Sequence, residues 1–177
     1  AYDKDVASGA LPSNGVQILA DNLDGVFSGG KDEGRAMAQI IHAIAPDADL
    51  VFYAAGTAFT FFKAVEALRA QKVDIIVDDV SFTRALENAP LLNSSIHSAV
   101  RSGITYVAAA GNDRPSLPVY GHAASADVIS VAAINVLAAP SDAFPFGSYL
   151  AAQTESFSSA GANGKPDVSA PQRGQTT

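Results

Sequence analysis

The sequence predicts an α/β fold: a doubly wound, three-layer sandwich with a mostly parallel sheet as its middle layer. Short runs rich in β-branched and aromatic residues alternate along the chain with stretches of helical periodicity. The runs are mostly apolar, without regular alternation of polar residues, which is typical of parallel strands covered by helices on both faces. Right-handed crossovers are then expected to connect successive strands.

Five such runs are predicted to be strands, and a looser tail follows them. The runs are residues 16–20, 50–54, 73–77, 104–110 and 128–134. After about residue 138, proline and glycine punctuate the sequence, which predicts loops with one or two short strands.

Three stretches between the strands carry apolar residues at the spacing of one helix face. Pro46 and Gly103 stand where the first and third of these helices are expected to end. Each apolar stripe is expected to face the sheet. The stripes are Met37, Ile40, Ile41 and Ile44; Phe61, Phe62, Val65 and Leu68; and Leu92, Ile96 and Val100.

Composition excludes several classes of protein. The 177 residues suffice for one domain with a sizeable core, and 48% of them are hydrophobic, which excludes a disordered chain. The net charge of −7 and the lack of a basic stripe give no support for nucleic-acid binding. The chain has no cysteine, so disulfides and a thiol nucleophile are excluded. Its longest apolar runs are far too short to span a bilayer.

Functional sites in doubly wound folds lie at the carboxyl ends of strands, which here selects residues 29–34, 78–82 and 110–113. Glu33 precedes Met37 by four positions, so its carboxylate is expected on the apolar helix face, pointing at the end of the sheet. Acids in a first turn also serve simply to complement the helix dipole. Asp32 falls on the other side and is expected to cap the helix.

Asn112 follows a glycine at the end of the fourth predicted strand. A side-chain amide in that place can donate a hydrogen bond to a developing oxyanion, an interaction worth about 3 kcal/mol in acyl transfer. The Gly-Asn-Asp sequence is also ordinary turn chemistry, and on its own the turn is the simpler interpretation.

Asp78 and Asp79 end the third predicted strand. Neighbouring strand residues face opposite sides, so these two cannot act as a paired acid–base dyad, and one of them is expected to be buried with a partner. The histidines His42, His97 and His122 are isolated and lack metal-ligand spacing, so no metal site is predicted. No glycine-rich dinucleotide motif occurs, and no cofactor is expected; bound calcium is conceivable but has no support in the sequence.

Several segments, in order, resemble the subtilase family of serine peptidases. Residues 107–113 (Val-Ala-Ala-Ala-Gly-Asn-Asp) resemble the segment that carries the oxyanion asparagine of the family, and residues 119–134 resemble its following loop and strand. Residues 157–161 (Phe-Ser-Ser-Ala-Gly) and 165–171 (Lys-Pro-Asp-Val-Ser-Ala-Pro) resemble segments that precede its catalytic serine. The resemblance runs from about residue 32 to residue 171.

The helix that opens with the catalytic histidine in this family opens here with Glu33, in the sequence Asp-Glu-Gly-Arg-Ala-Met. The replacement is similar to the sedolisin branch of the clan, in which glutamate is the general base. Sedolisins carry aspartate four residues later, where this chain has Met37, and tend to have aspartate in place of Asn112. The chain therefore resembles a divergent group of subtilase-like domains between the two branches.

The resemblance also implies roles for residues around the active centre. Ser81 and Phe82 match the strand that pairs with an extended substrate, and Gly111 belongs to the same substrate-binding rim. Asp79 is expected close behind the active centre, where it would orient Glu33 or share a proton with it, and Asp32 stands beside Glu33.

The resemblance implies a serine endopeptidase that acts on peptides or proteins by acyl transfer, with Glu33 as general base and Asn112 as oxyanion donor. The family's aspartate strand is expected before residue 1 and its Gly-Thr-Ser-x-Ala nucleophile after residue 177, so residues 1–177 are interpreted as one incomplete, subtilisin-like domain that is inactive alone and completed by the rest of its own domain. An acid-shifted pH optimum and a secreted, extracellular location are expected, and neither nucleic acid nor membrane is expected as a partner.

Two alternatives stay open. A non-catalytic peptide-binding module of the same fold is suggested by Glu33 in the histidine's place. A receiver-like α/β domain is suggested by Asp78 and Asp79 at a strand end, but it gives no role to the Phe-Ser-Ser and Lys-Pro-Asp-Val segments.

Overall fold

A computed structural model describes residues 2–21, 32–82, 90–112, 118–135, 153–155, 158–159 and 164–171. The chain divides into two compact units, one from Ala1 to Val73 and one from Asp74 to Arg173. Both units are α/β and both contain parallel strands, so the predicted fold class is confirmed. Each unit is described by itself below.

The described residues of the first unit form two parallel strands and three helices. Gln17 lies opposite Val51 in the register of the two strands. Thr57 and Thr60 form a capping box at the start of the third helix, which satisfies backbone groups that the helix leaves free. The elements are α1 (Tyr2–Ser8), β1 (Gln17–Ala20), α2 (Glu33–Ile44), β2 (Val51–Tyr53) and α3 (Ala58–Ala70).

The prediction for the buried face of α2 was wrong. Its buried residue is Gln39, whereas Ile40 and Ile44 of the predicted stripe are 37% and 79% exposed. The helix comes close to β2 through Gly34, where an added Cβ would lie 2.6 Å from the Phe52 ring. In α3, by contrast, Phe61 and Val65 are buried as predicted.

The second unit contains a five-stranded sheet in the order β3-β4-β5-β6, with β7 also paired to β5. All of its strand pairs are parallel except β5 with β6. The elements are β3 (Ile75–Asp78), α4 (Pro90–Arg101), β4 (Thr105–Ala109), a 3₁₀ helix (Gly121–Ala124), β5 (Ile129–Asn135), β6 (Gln153–Thr154) and β7 (Val168–Pro171).

The core of this unit lies on one face of the sheet. Side chains at alternate positions of three neighbouring strands point to that face and are buried, and α4 packs on β4 with its predicted stripe. The buried residues are Ile76, Tyr106, Ala108, Ser130 and Ala132 from the strands, and Leu92, Ile96 and Ala99 from α4.

The opposite face of the same sheet is exposed. Ile75 and Val77 of β3 are 59% and 46% exposed, Ile129 of β5 is 40% exposed and Val168 of β7 is 50% exposed. Helices were expected to cover both faces of the sheet. Among the described residues of this unit, a helix covers one face only.

Candidate functional site

Two neighbouring strand ends of the second unit bring predicted site residues to the same edge of the sheet. Asp78, the last residue of β3, lies in register with Ala108 of the parallel strand β4. The segments that leave the sheet there are residues 79–82 and residues 110–112. Asp79 and Ser81 are exposed and Phe82 is half-buried. Ser81, Phe82 and Gly111 thus belong to adjacent strand ends, as the sequence predicts for a substrate-binding rim.

Backbone contacts on both sides of Gly111 fix the position of Asn112. Gly111 has a φ of 93°, in the left-handed region that glycine adopts without a steric penalty. The Ala110 N–H donates to the Val131 carbonyl at 2.9 Å, and the Gly111 carbonyl accepts from the Ser159 N–H at 2.8 Å. Asn112 itself is exposed, and its side chain forms no hydrogen bond with another described residue.

The two serines of the Phe-Ser-Ser segment are buried next to this turn. Ser158 and Ser159 are 2% and 0% exposed. The Ser158 hydroxyl accepts from the Ala133 N–H at 3.0 Å, while the Ser159 N–H holds the Gly111 carbonyl. The segment thus connects the turn at Gly111 with β5. Phe157, Gly161 and Asp113 lie outside the described residues.

The Lys-Pro-Asp-Val segment fastens the start of β7 to β5. Lys165 Nζ donates to the Val128 carbonyl at 2.5 Å and to the Asp167 carboxylate at 2.6 Å. The same carboxylate accepts the Ser130 N–H at 2.8 Å. The hydrogen bond from Lys165, together with that from Ser130, holds the pKa of Asp167 below its ordinary value.

A buried histidine contacts the last residue of β3. His122 Nε2 is 3.1 Å from Asp78 Oδ1, and the two side chains are 3% and 10% exposed. The expectation that one of the two adjacent aspartates is buried with a partner is confirmed for Asp78. The partner was missed, because His122 stands 44 positions away in a Gly/Ala loop. The sequence offered one signal, a polar residue close to the apolar Val119 and Ala123. Both of these neighbours are buried in the structure.

In the first unit, Glu33 is the first residue of α2, as predicted, but it is exposed. Asp32 occupies the N-cap position without a capping hydrogen bond from its side chain, which corrects the prediction. Its carboxylate instead accepts from Arg35, 2.6 Å from Nε, and Arg35 also pairs with the buried Asp5 of α1. The hydrogen bond from Arg35 lowers the pKa of Asp32, and the two carboxylates raise the pKa of Arg35.

The other two histidines differ from His122 in their surroundings. His42 is half-buried, and its Nδ1 has no partner among the described residues. His97 is exposed and pairs with Asp127 at 2.9 Å. Within the described ranges, no group of three or more His, Asp or Glu side chains is placed to hold a metal ion. No helix in those ranges is both long and apolar enough to cross a membrane.

The structure therefore brings together Asp79, Ser81, Phe82, Gly111 and Asn112, all in the second unit. Glu33 and Asp32 belong to the first unit. That Glu33 and Asn112 border a common cleft, and that Asp79 acts on Glu33, stay predictions.

Solved structures with a similar fold include proteins that act on peptides. The prenylagaramide maturation protease PagA matches with a TM-score of 0.56 and 18% identity over 95% of this chain and 66% of its own. The PatG macrocyclase in complex with peptide matches with a TM-score of 0.53 and 16% identity over 72% of this chain and 35% of its own. Sphericase gives a TM-score of 0.49 and 20% identity, over 71% of this chain and 44% of its own. This chain thus spans no more than 66% of any of the three.

No curated protein matches the sequence. The sequence model of the subtilase family, Peptidase_S8, matches residues 20–176, which includes the strand ends and both serine-containing segments described above. The match leaves no place for the receiver-like alternative. The chain belongs to the subtilase family.

Proposed function

We propose that the intact protein is a serine endopeptidase that hydrolyses peptide bonds by acyl transfer. The observation that supports this best is the exposed Asn112, which follows the left-handed Gly111 just beyond the end of β4. The backbone around it is already fixed by hydrogen bonds, and fixed donors are what stabilises an oxyanion at little cost in reorganisation.

A peptide substrate would pair with the neighbouring strand end. Residues 79–82 follow β3 directly in the chain, and β3 forms backbone pairs with β4 on one side. Extended peptides bind readily beside such segments, because main-chain hydrogen bonds supply affinity whatever the side chains. Ser81 and Phe82 are the residues that we assign to this contact.

Glu33 is the proposed general base, and the nucleophile is a serine outside residues 1–177. Glu33 opens α2 and is exposed, so its carboxylate is available to a partner. The Gly-Thr-Ser-x-Ala pattern does not occur in these residues, and we expect the 177-residue chain by itself to be inactive. From the family alone we also propose that the protein is secreted, which recovery from the culture medium would test.

The test is the rate at which a fluorophosphonate labels the intact protein, measured across pH. A carboxylate base remains ionised in mild acid, whereas an imidazole loses basicity below about pH 6.5, so labelling should persist at about pH 5. Glu33→Gln should slow labelling by about 10²–10⁴-fold. Asp47→Asn, which changes an exposed acid in the turn after α2, is the matched control and should label as the unaltered protein does.

The second candidate is a peptide-binding module without catalysis, favoured by the carboxylate at the position of the family's histidine. Such a module would bind extended peptides and would not be labelled. An alkaline labelling optimum, or labelling that does not depend on Glu33, would contradict the assignment of Glu33 as the general base.

A further inference from the structure

The buried pair of Asp78 and His122 connects the end of β3 with the 3₁₀ helix Gly121–Ala124. The two side chains are 10% and 3% exposed, and His122 Nε2 lies 3.1 Å from Asp78 Oδ1. Burying polar or charged groups is costly unless they bond to each other. Nothing in the roles proposed above uses this pair.

The same oxygen of Asp78 also holds the backbone that follows β3. Asp78 Oδ1 accepts the Val80 N–H at 3.2 Å. We call residues 79–82 the substrate segment. One carboxylate oxygen therefore contacts both the substrate segment and the 3₁₀ helix. Val80 is half-buried while Asp79 and Ser81 are exposed.

We propose that Asp78 and His122 are positioning residues that hold the start of the substrate segment in the path with which a peptide pairs. The inference rests on the proposed function and adds a mechanism of substrate binding to it. Ordering a segment beyond the end of a strand in advance removes an entropic cost from binding. The benefit is confined to ligands long enough to lie along residues 79–82.

The second carboxylate oxygen of Asp78 allows a variant that leaves the first oxygen and its two contacts in place. Oδ2 is buried and has no hydrogen-bond partner among the described residues. Asp78→Asn keeps an oxygen for Val80 and His122 and replaces only the oxygen that has no donor. Asp78→Ala removes the acceptor from both contacts, and His122→Phe removes the histidine donor while it retains a buried ring. The exposed pair of His97 and Asp127 supplies the control, His97→Phe.

The first measurement is kcat and KM of the intact protein for a hexapeptide and for a single-residue ester. Loss of a hydrogen bond to a charged group corresponds to about tenfold in affinity. Asp78→Ala and His122→Phe should therefore raise KM for the hexapeptide about tenfold and leave the ester within about twofold. Asp78→Asn and His97→Phe should resemble the unaltered protein on both substrates. An equal loss on ester and hexapeptide would show a merely structural pair and overturn the proposal.

The second measurement is amide hydrogen exchange at Val80, which needs no catalytic activity. Exchange should accelerate about tenfold in Asp78→Ala and stay near its original rate in Asp78→Asn. If Asp78→Ala does not fold, exchange at Val80 in His122→Phe tests the proposal instead. This variant breaks the connection to the 3₁₀ helix but keeps the oxygen that accepts the Val80 N–H. Unchanged exchange in both variants would refute the proposal. If the unaltered protein hydrolyses neither substrate, the proposed function fails, and exchange at Val80 still decides whether the pair positions the segment.

Discussion

Gly111 separates the last residues of β4 from Asn112, and its φ of 93° is the reason that Asn112 lies at the rim. An L-residue in the left-handed region is destabilised by roughly 1–2 kcal/mol. Gly103, between α4 and β4, has a φ of 99° and an open space where a Cβ would be added. The two glycines therefore share the same backbone requirement, and only one of them adjoins a proposed oxyanion donor.

We expect Gly111→Ala and Gly103→Ala to lower the free energy of unfolding by a similar amount, about 1–2 kcal/mol each. Only Gly111→Ala should also lower kcat, by about 100-fold, because Asn112 would be displaced from the oxyanion. Urea unfolding and steady-state kinetics of the intact protein measure the two effects. Equal kcat values for the two variants would contradict the role of Asn112.

At the same scale, some site residues could be predicted from sequence and others could not. The place of Asn112 beyond a strand end could be predicted because both its strand and the glycine before it are local features of the sequence, whereas its role stays a prediction. The pairing of Asp78 with His122 joins residues 44 positions apart, and no periodicity reports such a contact. Asp32 was predicted to cap the helix from its position alone. In the structure its carboxylate accepts a hydrogen bond from Arg35 and none from the helix N-terminus.

Among the elements, β7 depends on side chains as well as on backbone pairing with β5. Val131 lies opposite Val168 in the register, and the Lys165–Asp167 pair lies just before that contact. The pKa of Asp167 is held below its ordinary value of 3.8, chiefly by Lys165. A lowered folded-state pKa means that the carboxylate stabilises the fold above the unfolded-state pKa, and that this contribution disappears as the pH falls through the folded-state value.

We therefore expect Asp167→Asn to lower stability at neutral pH and to weaken its dependence on pH in acid. Between about pH 5 and pH 2, the free energy of unfolding should fall less steeply in Asp167→Asn than in the unaltered protein. Chemical unfolding at a series of pH values measures the slope. Asp49→Asn, which changes an exposed acid before β2, should keep the original slope. Identical slopes in all three proteins would refute the assignment.

Helix periodicity predicted the buried faces of α3 and α4 but not that of α2. Arg35, Gln39 and His42 lie on one face of α2 at i, i+4 and i+7, and this face is the more buried one. Its partner includes α1, whose Asp5 pairs with Arg35. The seven-residue α1 was not predicted, so the polar surface that orients α2 could not be inferred from the apolar stripe of α2 alone.

On the scale of the whole molecule, the described strands form two sheets, one in each unit. All five predicted runs became strands within two residues of their expected ends, because each carries its own local signal. Which strands pair is not encoded in those signals, so the sequence did not reveal that β2 and β3 belong to different sheets. A single domain over residues 1–177 stays a prediction.

The exposed face of the five-stranded sheet is a property of the whole molecule with a measurable consequence. Val77, the half-buried Val107 and Ile129 lie side by side in the register, with Ile75 and Val168 in the adjoining rows, so the apolar side chains of this face adjoin one another. Isolated exposed apolar residues are common on proteins, whereas a continuous patch is not and binds hydrophobic dyes. The net charge of −7 should keep the isolated chain soluble enough to test.

We expect the 177-residue chain to bind an anionic hydrophobic dye, and the double variant Ile75→Thr/Val77→Thr to lose at least half of the fluorescence. Threonine preserves strand propensity, so the free energy of unfolding should change by only about 0.5 kcal/mol per position. Ile44→Thr, which removes a more exposed side chain of α2 that does not belong to this sheet, should leave the fluorescence nearly unchanged. Dye fluorescence at matched concentration, with circular dichroism to verify folding, decides the outcome. If the double variant and Ile44→Thr reduced fluorescence equally, the sheet face would not be the dye's binding surface, because total exposed apolar area rather than continuity would govern binding.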